Sequence, residues 1–106
     1  MTRPLPTGLP PGPSVGQLRW LIDRVAAGEV SVDDLIAHFR PLHEALEHTG
    51  RPGYQSKDEA RLIWDVLWAL EFYSPDPARE ANPAEWNDAE AVLAEVRRVS
   101  ERLRAL

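Results

Sequence analysis

SKDEARLIWDVLWALEFYSPDPARE, residues 56–80, decides the fold of this chain. Ser56, followed three residues later by Glu59, forms a capping box, and Asp58 stands in the first turn, where the helix dipole favours an anion. Leu62, Ile63, Val66, Leu67 and Leu70 recur at the spacing of one helix face. The stripe is wide enough to meet two other helices, as a central helix requires. Trp64 and Trp68 run along its flank at i, i+4, and the spacing places them in the core. Pro75 and Pro77 forbid continuation and bias Ser74 and Asp76 toward extended backbone, so a defined corner follows.

Upstream, Ser14 is a helix N-cap ahead of Leu18, Leu21, Ile22 and Val25, and Gly28 supplies the left-handed stop, which predicts a helix over residues 15–27. Ser31 and Asp34 open a second helix carrying Leu35, Ile36, Phe39, Leu42 and Leu46, which ends before Gly50. Pro41 interrupts it, so a kink or two short helices are expected. The loop HTGRPGYQ then breaks the chain. Downstream, Asn82, Pro83 and Glu85 form an N-terminal signature for a fourth helix with the stripe Ala89, Val92, Leu93, Val96, Val99 and Leu103. Arg97, Arg98, Arg102 and Arg104 crowd its end, where cations complement the dipole. No strand and no repeat is evident. The fold class is all-α, an antiparallel four-helix bundle over residues 14–106. A Pro-rich tail over residues 1–13, disordered or extended, has almost nothing to bury, and its Pro10 and Pro13 are read as plain tail rather than as an SH3-type ligand.

With 106 residues the chain has enough surface for one core. There is no cysteine, so a disulfide framework, a thiol nucleophile and a thiolate metal site are all excluded. No stretch approaches the ~18 apolar residues of a membrane span, and the first residues lack a signal-peptide core, so a cytoplasmic protein without a membrane partner is expected. The formal charge of -5 is unevenly spread: residues 56–96 hold ten acids against three bases.

Catalytic motifs are missing: there is no GxGxxG, P-loop, GxSxG or HExxH. His38, His43 and His48 recur at intervals of five, each turned about 140° from the last, so they do not share a face and no metal site is expected from them. Asp65, Glu71 and Asp76, with Asp58 and Glu80, are the one carboxylate set with the composition of a metal hydrolase. Asp65 and Glu71 point about 120° apart on a helix, however, and diverge. Two readings remain for the acids: a solvated face, or a surface that steers a basic partner into contact with Trp68, Tyr73 and Trp86 as anchors. Tyr73 either holds the corner through its hydroxyl or meets the partner. The terminal arginines are structural rather than a nucleic-acid patch, being few and beside an acidic tract.

The chain resembles the colicin D immunity proteins, the self-protective colicin-like immunity proteins, over about residues 17–104. LIDRVAAGEVSVDDLIAHF is similar to that family's first helix, link and second helix. LWALEFYSPDPARE is similar to its apolar helix ending in an acid, a tyrosine two residues later, then Asp-Pro and Arg. Glu71, Tyr73, Asp76, Pro77 and Arg79 fall on those motif positions, with Glu71 where aspartate is usual. The resemblance implies a non-enzymatic inhibitor without cofactors, a monomer or weak dimer. It would cover the basic, ribonuclease-type active site of a cognate toxin with acidic groups and make no direct contact with nucleic acid. Partner-binding residues are then Glu71, Tyr73, Asp76 and Arg79, with Asp65, Glu80 and Asp88 as supplementary acids. Arg79 is expected to bridge to Asp76 or Glu80 and hold the corner. The alternative is a helical interaction or regulatory module without a toxin.

Overall fold

The computed structural model describes residues 3–106. Among them lie four α-helices and no strand: α1 Val15–Ala26, α2 Val32–His48, α3 Lys57–Glu71 and α4 Ala89–Arg104. Each begins at a side-chain cap, because the first N–H groups of a helix have no partner within it. Ser14 accepts from Gln17 N, Ser31 from Asp34 N, Ser56 from Glu59 N and Asp88 from Ala91 N. The first and second helices run into Gly28 (φ +78°) and Gly50 (φ +69°), where a left-handed residue turns the chain away.

Of the two outcomes expected at Pro41, a kink or two short helices, the second does not occur: α2 is a single 17-residue helix across Pro41. Pro41 is exposed, so the bond it removes is lost on the outer face, where it disturbs the packing least. The fourth helix starts at Asp88 and not at Asn82. Asn82-Pro83 does start helical backbone, but only one 3-10 turn, Pro83–Glu85, after which Trp86 turns extended (φ -108°, ψ 145°).

The predicted stripes form one core. Leu18, Leu21, Ile22, Leu35, Phe39, Ile63, Val66, Val92, Val96 and Val99 are fully buried. Each contributes roughly 1.5–3 kcal/mol through removal of apolar surface from water. α4 packs along both α1 and α3, α1 also packs on α2, and α2 meets α3 and α4 only lightly. Trp64 and Trp68 are not in this core, contrary to expectation: they stand 48% and 58% exposed on the side of α3 that α2 leaves uncovered.

The described part of the Pro-rich segment has no helix or strand, but contrary to the expectation of almost nothing to bury it is bound to the helices. Leu9 packs against the core, Gln17 Nε2 donates to Pro10 O at 3.1 Å, and Arg3 Nε pairs with Asp34 at 2.7 Å. His38, buried, meets Pro4 O through Nε2 at 3.0 Å. The tail's first two residues lie outside the described residues. The Arg3 hydrogen bond holds the Asp34 carboxyl below the usual carboxylate range.

One ion pair ties three helices. Glu59, 1% exposed, receives Arg19 Nη1 at 2.9 Å and Gln55 N at 2.8 Å, while Arg19 Nη2 donates to Leu103 O at 3.2 Å. The capping-box glutamate thus takes the N–H of Gln55, next to Ser56, and spends its other oxygen on α1. Removing Arg19 leaves a buried carboxylate without its cation. Arg19→Ala is therefore expected to cost about 3 kcal/mol in urea denaturation. At exposed Arg61 the same change should stay within about 0.5 kcal/mol. Equal effects at the two positions would show that the pair is not structural.

Candidate functional site

The corner after α3 is a backbone clamp. Tyr73 N bonds Leu70 O at 3.1 Å in a tightened last turn, so Ala69 O loses the partner a continuing helix would provide. Asn87 Nδ2 supplies one, at 3.2 Å. The two segments then pair as a bridge at Tyr73 and Asn87: Asn87 N donates to Phe72 O at 2.7 Å and Ser74 N to Asn87 O at 2.8 Å. Ser74, buried, donates through Oγ to Glu80 Oε1 at 3.0 Å and accepts from Asp76 N at 3.2 Å. Pro77–Arg79 forms a 3-10 turn between them. Asn87 carried no signal in the sequence, because the carbonyl it satisfies lies eighteen residues away.

The expected site residues occupy different places. Glu71 sits at the end of α3 on the α2 side, paired with Arg40. Asp65 faces α4 and pairs with Arg98 at 2.9 Å, an arginine held also by Glu95. Asp76 and Arg79 pair with each other at 3.2 Å on the open surface, and Glu80 is bound to Ser74. Tyr73 is half-buried against the core. Asp88 caps α4, which makes it part of the frame. The structure brings Tyr73, Asp76, Arg79 and Glu80 together at the corner, whereas Asp65 and Glu71 lie on opposite sides of α3. Among the described residues no three His, Asp or Glu side chains are grouped to hold a metal ion. Among the described residues no helix is long and apolar enough to cross a membrane.

Sequence reasoning weighed Trp68 and Trp86 as anchors, but it missed Phe72 and placed Trp64 and Trp68 in the core, where they are not. Trp64 and Trp68 on α3 and Phe72, the residue that caps its end, follow at i, i+4 and i+8. Trp68 stacks on Phe72 at 5.7 Å, and Phe72 meets half-buried Trp86 edge-on at 6.2 Å. Phe72 is itself 39% exposed. Periodicity had placed the tryptophans on the edge of the apolar stripe, and whether an edge is covered depends on where the neighbouring helix lies. A row of exposed aromatics with acids on both sides suits contact with a protein, because such rings add large buried area with few torsions to fix.

On the α2 side, His43 is buried with its ring edge-on to Trp64 at 5.1 Å. Burial lowers its pKa against the opposing effect of Glu47 and Glu44, so at neutral pH the 3.4 Å contact to Glu47 is not an ion pair. Tyr54, whose hydroxyl meets both His43 and Glu47, has its pKa pushed up to about 12 by burial and by the Glu47 charge. Below the ordinary histidine value of about 6.5 the unfolded chain gains a proton at His43 before the native state does, so stability falls as pH falls. Urea midpoints at pH 7 and 5.5 should show a loss that His43→Gln reduces and exposed His48→Gln does not. The Asp34 contribution is lost only at much lower pH, below the usual carboxylate value of about 3.9.

Comparison of the chain with models of protein families, with curated proteins and with solved structures finds no match.

Proposed function

We propose that this chain is a non-enzymatic, cytoplasmic immunity protein: an antiparallel four-helix bundle that binds the basic, ribonuclease-type domain of a toxin and covers its active site. The aromatic cluster of exposed Trp68 and Phe72 at the end of α3, with half-buried Trp86 against them and the acids of the corner beside them, carries the proposal. The resemblance of LWALEFYSPDPARE to the colicin D immunity proteins names the kind of partner. Aromatic rings supply the desolvated centre of such an interface, and Asp76, Glu80 and Glu71 supply the charge that draws in a cationic surface. The internal ion pairs do not stand in the way, because exposed pairs such as Glu71 with Arg40 contribute only about 0–1 kcal/mol and exchange partners readily.

That same internal pairing is what favours the second reading, a helical interaction or regulatory module without a toxin. Co-expression with the product of a neighbouring toxin-like gene separates the two. Under the first reading the chain rescues growth, and Glu71→Lys with Asp76→Lys abolishes rescue. Association of the purified pair should also slow at least tenfold between low and physiological salt. Rescue that survives the double charge reversal, or association indifferent to salt, would remove the acidic corner from the mechanism.

A further inference from the structure

Because α2 and α3 meet only lightly, an open groove of about 550 Å³ runs between them. Leu67, Trp64 and Trp68 give it apolar and aromatic walls from α3, and His43 lines it from α2. Its rim is acidic, with Glu44 and Glu47 on α2 and Glu71 on α3. The one arginine in the lining, Arg40, is paired with Glu71. Two carboxylates, Glu44 and Glu47, are therefore left facing the groove without a fixed arginine or lysine among its lining residues. The groove shares Trp68 and Glu71 with the surface proposed above, whereas Trp64, Glu44 and Glu47 belong to the groove and Asp76 to the corner.

We propose that this groove receives an arginine side chain from a protein partner. An uncharged apolar occupant would strip water from Glu44 and Glu47 and offer them nothing, and an anion would be repelled. A guanidinium meets both demands at once: it is planar and weakly hydrated, lies flat on an indole face, and presents a fork of N–H donors to carboxylates. A lysine ammonium is a compact, strongly hydrated charge and gains less on the same wall. The chain uses both halves of this chemistry internally. Arg24 lies over the Trp20 ring at 5.6 Å, and Arg40 binds Glu71 at the groove itself. The volume falls in the range of about 300–1,000 Å³ typical of ligand pockets and exceeds one side chain, so the flanking residues of the partner's segment enter with the arginine.

The test titrates the full chain with a capped peptide carrying one arginine among alanines, and with its lysine and citrulline counterparts, while the tryptophan indole N–H resonances are followed. Saturable shifts at Trp64 and Trp68, with Trp20 still, are expected in the millimolar range. The lysine peptide should bind about fivefold more weakly and the citrulline peptide without saturation. Glu44→Gln with Glu47→Gln, both at exposed positions, should weaken the arginine peptide at least about fivefold. Asp76→Lys, confined to the corner, should leave it unchanged, so failure of the groove and failure of the corner are separable. Equal binding of the citrulline peptide, equal movement of Trp20, or indifference to the double Gln exchange overturns the proposal. Indole shifts that depend on protein concentration with no peptide present would assign the groove to a second copy of the chain and overturn it too.

Discussion

The pair of buried Glu59 with half-buried Arg19 is the constraint on which the arrangement of the helices depends. Glu59 lies in the first turn of α3, Arg19 lies midway along α1, and the guanidinium also binds one carbonyl near the end of α4, that of Leu103. A buried carboxylate is tolerated only where its oxygens are occupied, and here both are, one by Arg19 and one by Gln55 N. Further polar ties run along the same seam: buried Ser100 donates to Asp23 at 2.8 Å, and Arg97 reaches Ala26 O at the end of α1. Hydrophobic burial supplies most of the stabilisation, but it has no direction. These bonds specify which helix stands beside which.

With α4 packed along both α1 and α3, and α3 tied to α1 by the Arg19–Glu59 pair, α2 is left to attach through α1 and through the Pro-rich segment bound to its first half. It consequently stands off from α3. From that one displacement follow the exposed tryptophans, the groove and its acidic rim. The other side of α3 is closed differently, by Asn87 and the bridge at Tyr73, which fix the acids of the corner on short, proline-bounded backbone. The protein thus offers two surfaces, one rigidly clamped and one between loosely apposed helices, with Trp68 at the boundary.

Where the physics was local, the sequence was legible. Ser14, Ser31 and Ser56 cap the helices they were expected to cap, and the stripes of Leu, Ile and Val became the core, because both effects act within a turn or two of helix. Asn82-Pro83 misled for a reason of the opposite kind. It is a sound local start signal, but the demand of Ala69 O for a donor and the pairing of Asn87 with Phe72 and Ser74 keep the chain extended until Asp88. The corner's residues were recognisable as a motif, and the six-residue spacing already parted Asp65 from Glu71, whereas the role of Asp88 as a cap was not legible.

The sequence by itself determined that the chain is helical, where three of its four helices begin, which residues line its core, and that its acids concentrate in the second half. Those properties depend on spacing along the chain and on side chains reaching their own backbone. Only the tertiary structure decided that Trp64 and Trp68 face outward, that the Pro-rich segment is docked, and that Arg19 and Arg40 meet Glu59 and Glu71. Apart from the local bond of Gln17 to Pro10, these are contacts between residues more than thirty positions apart, or the absence of one, and it is the seating of one segment against another that makes them.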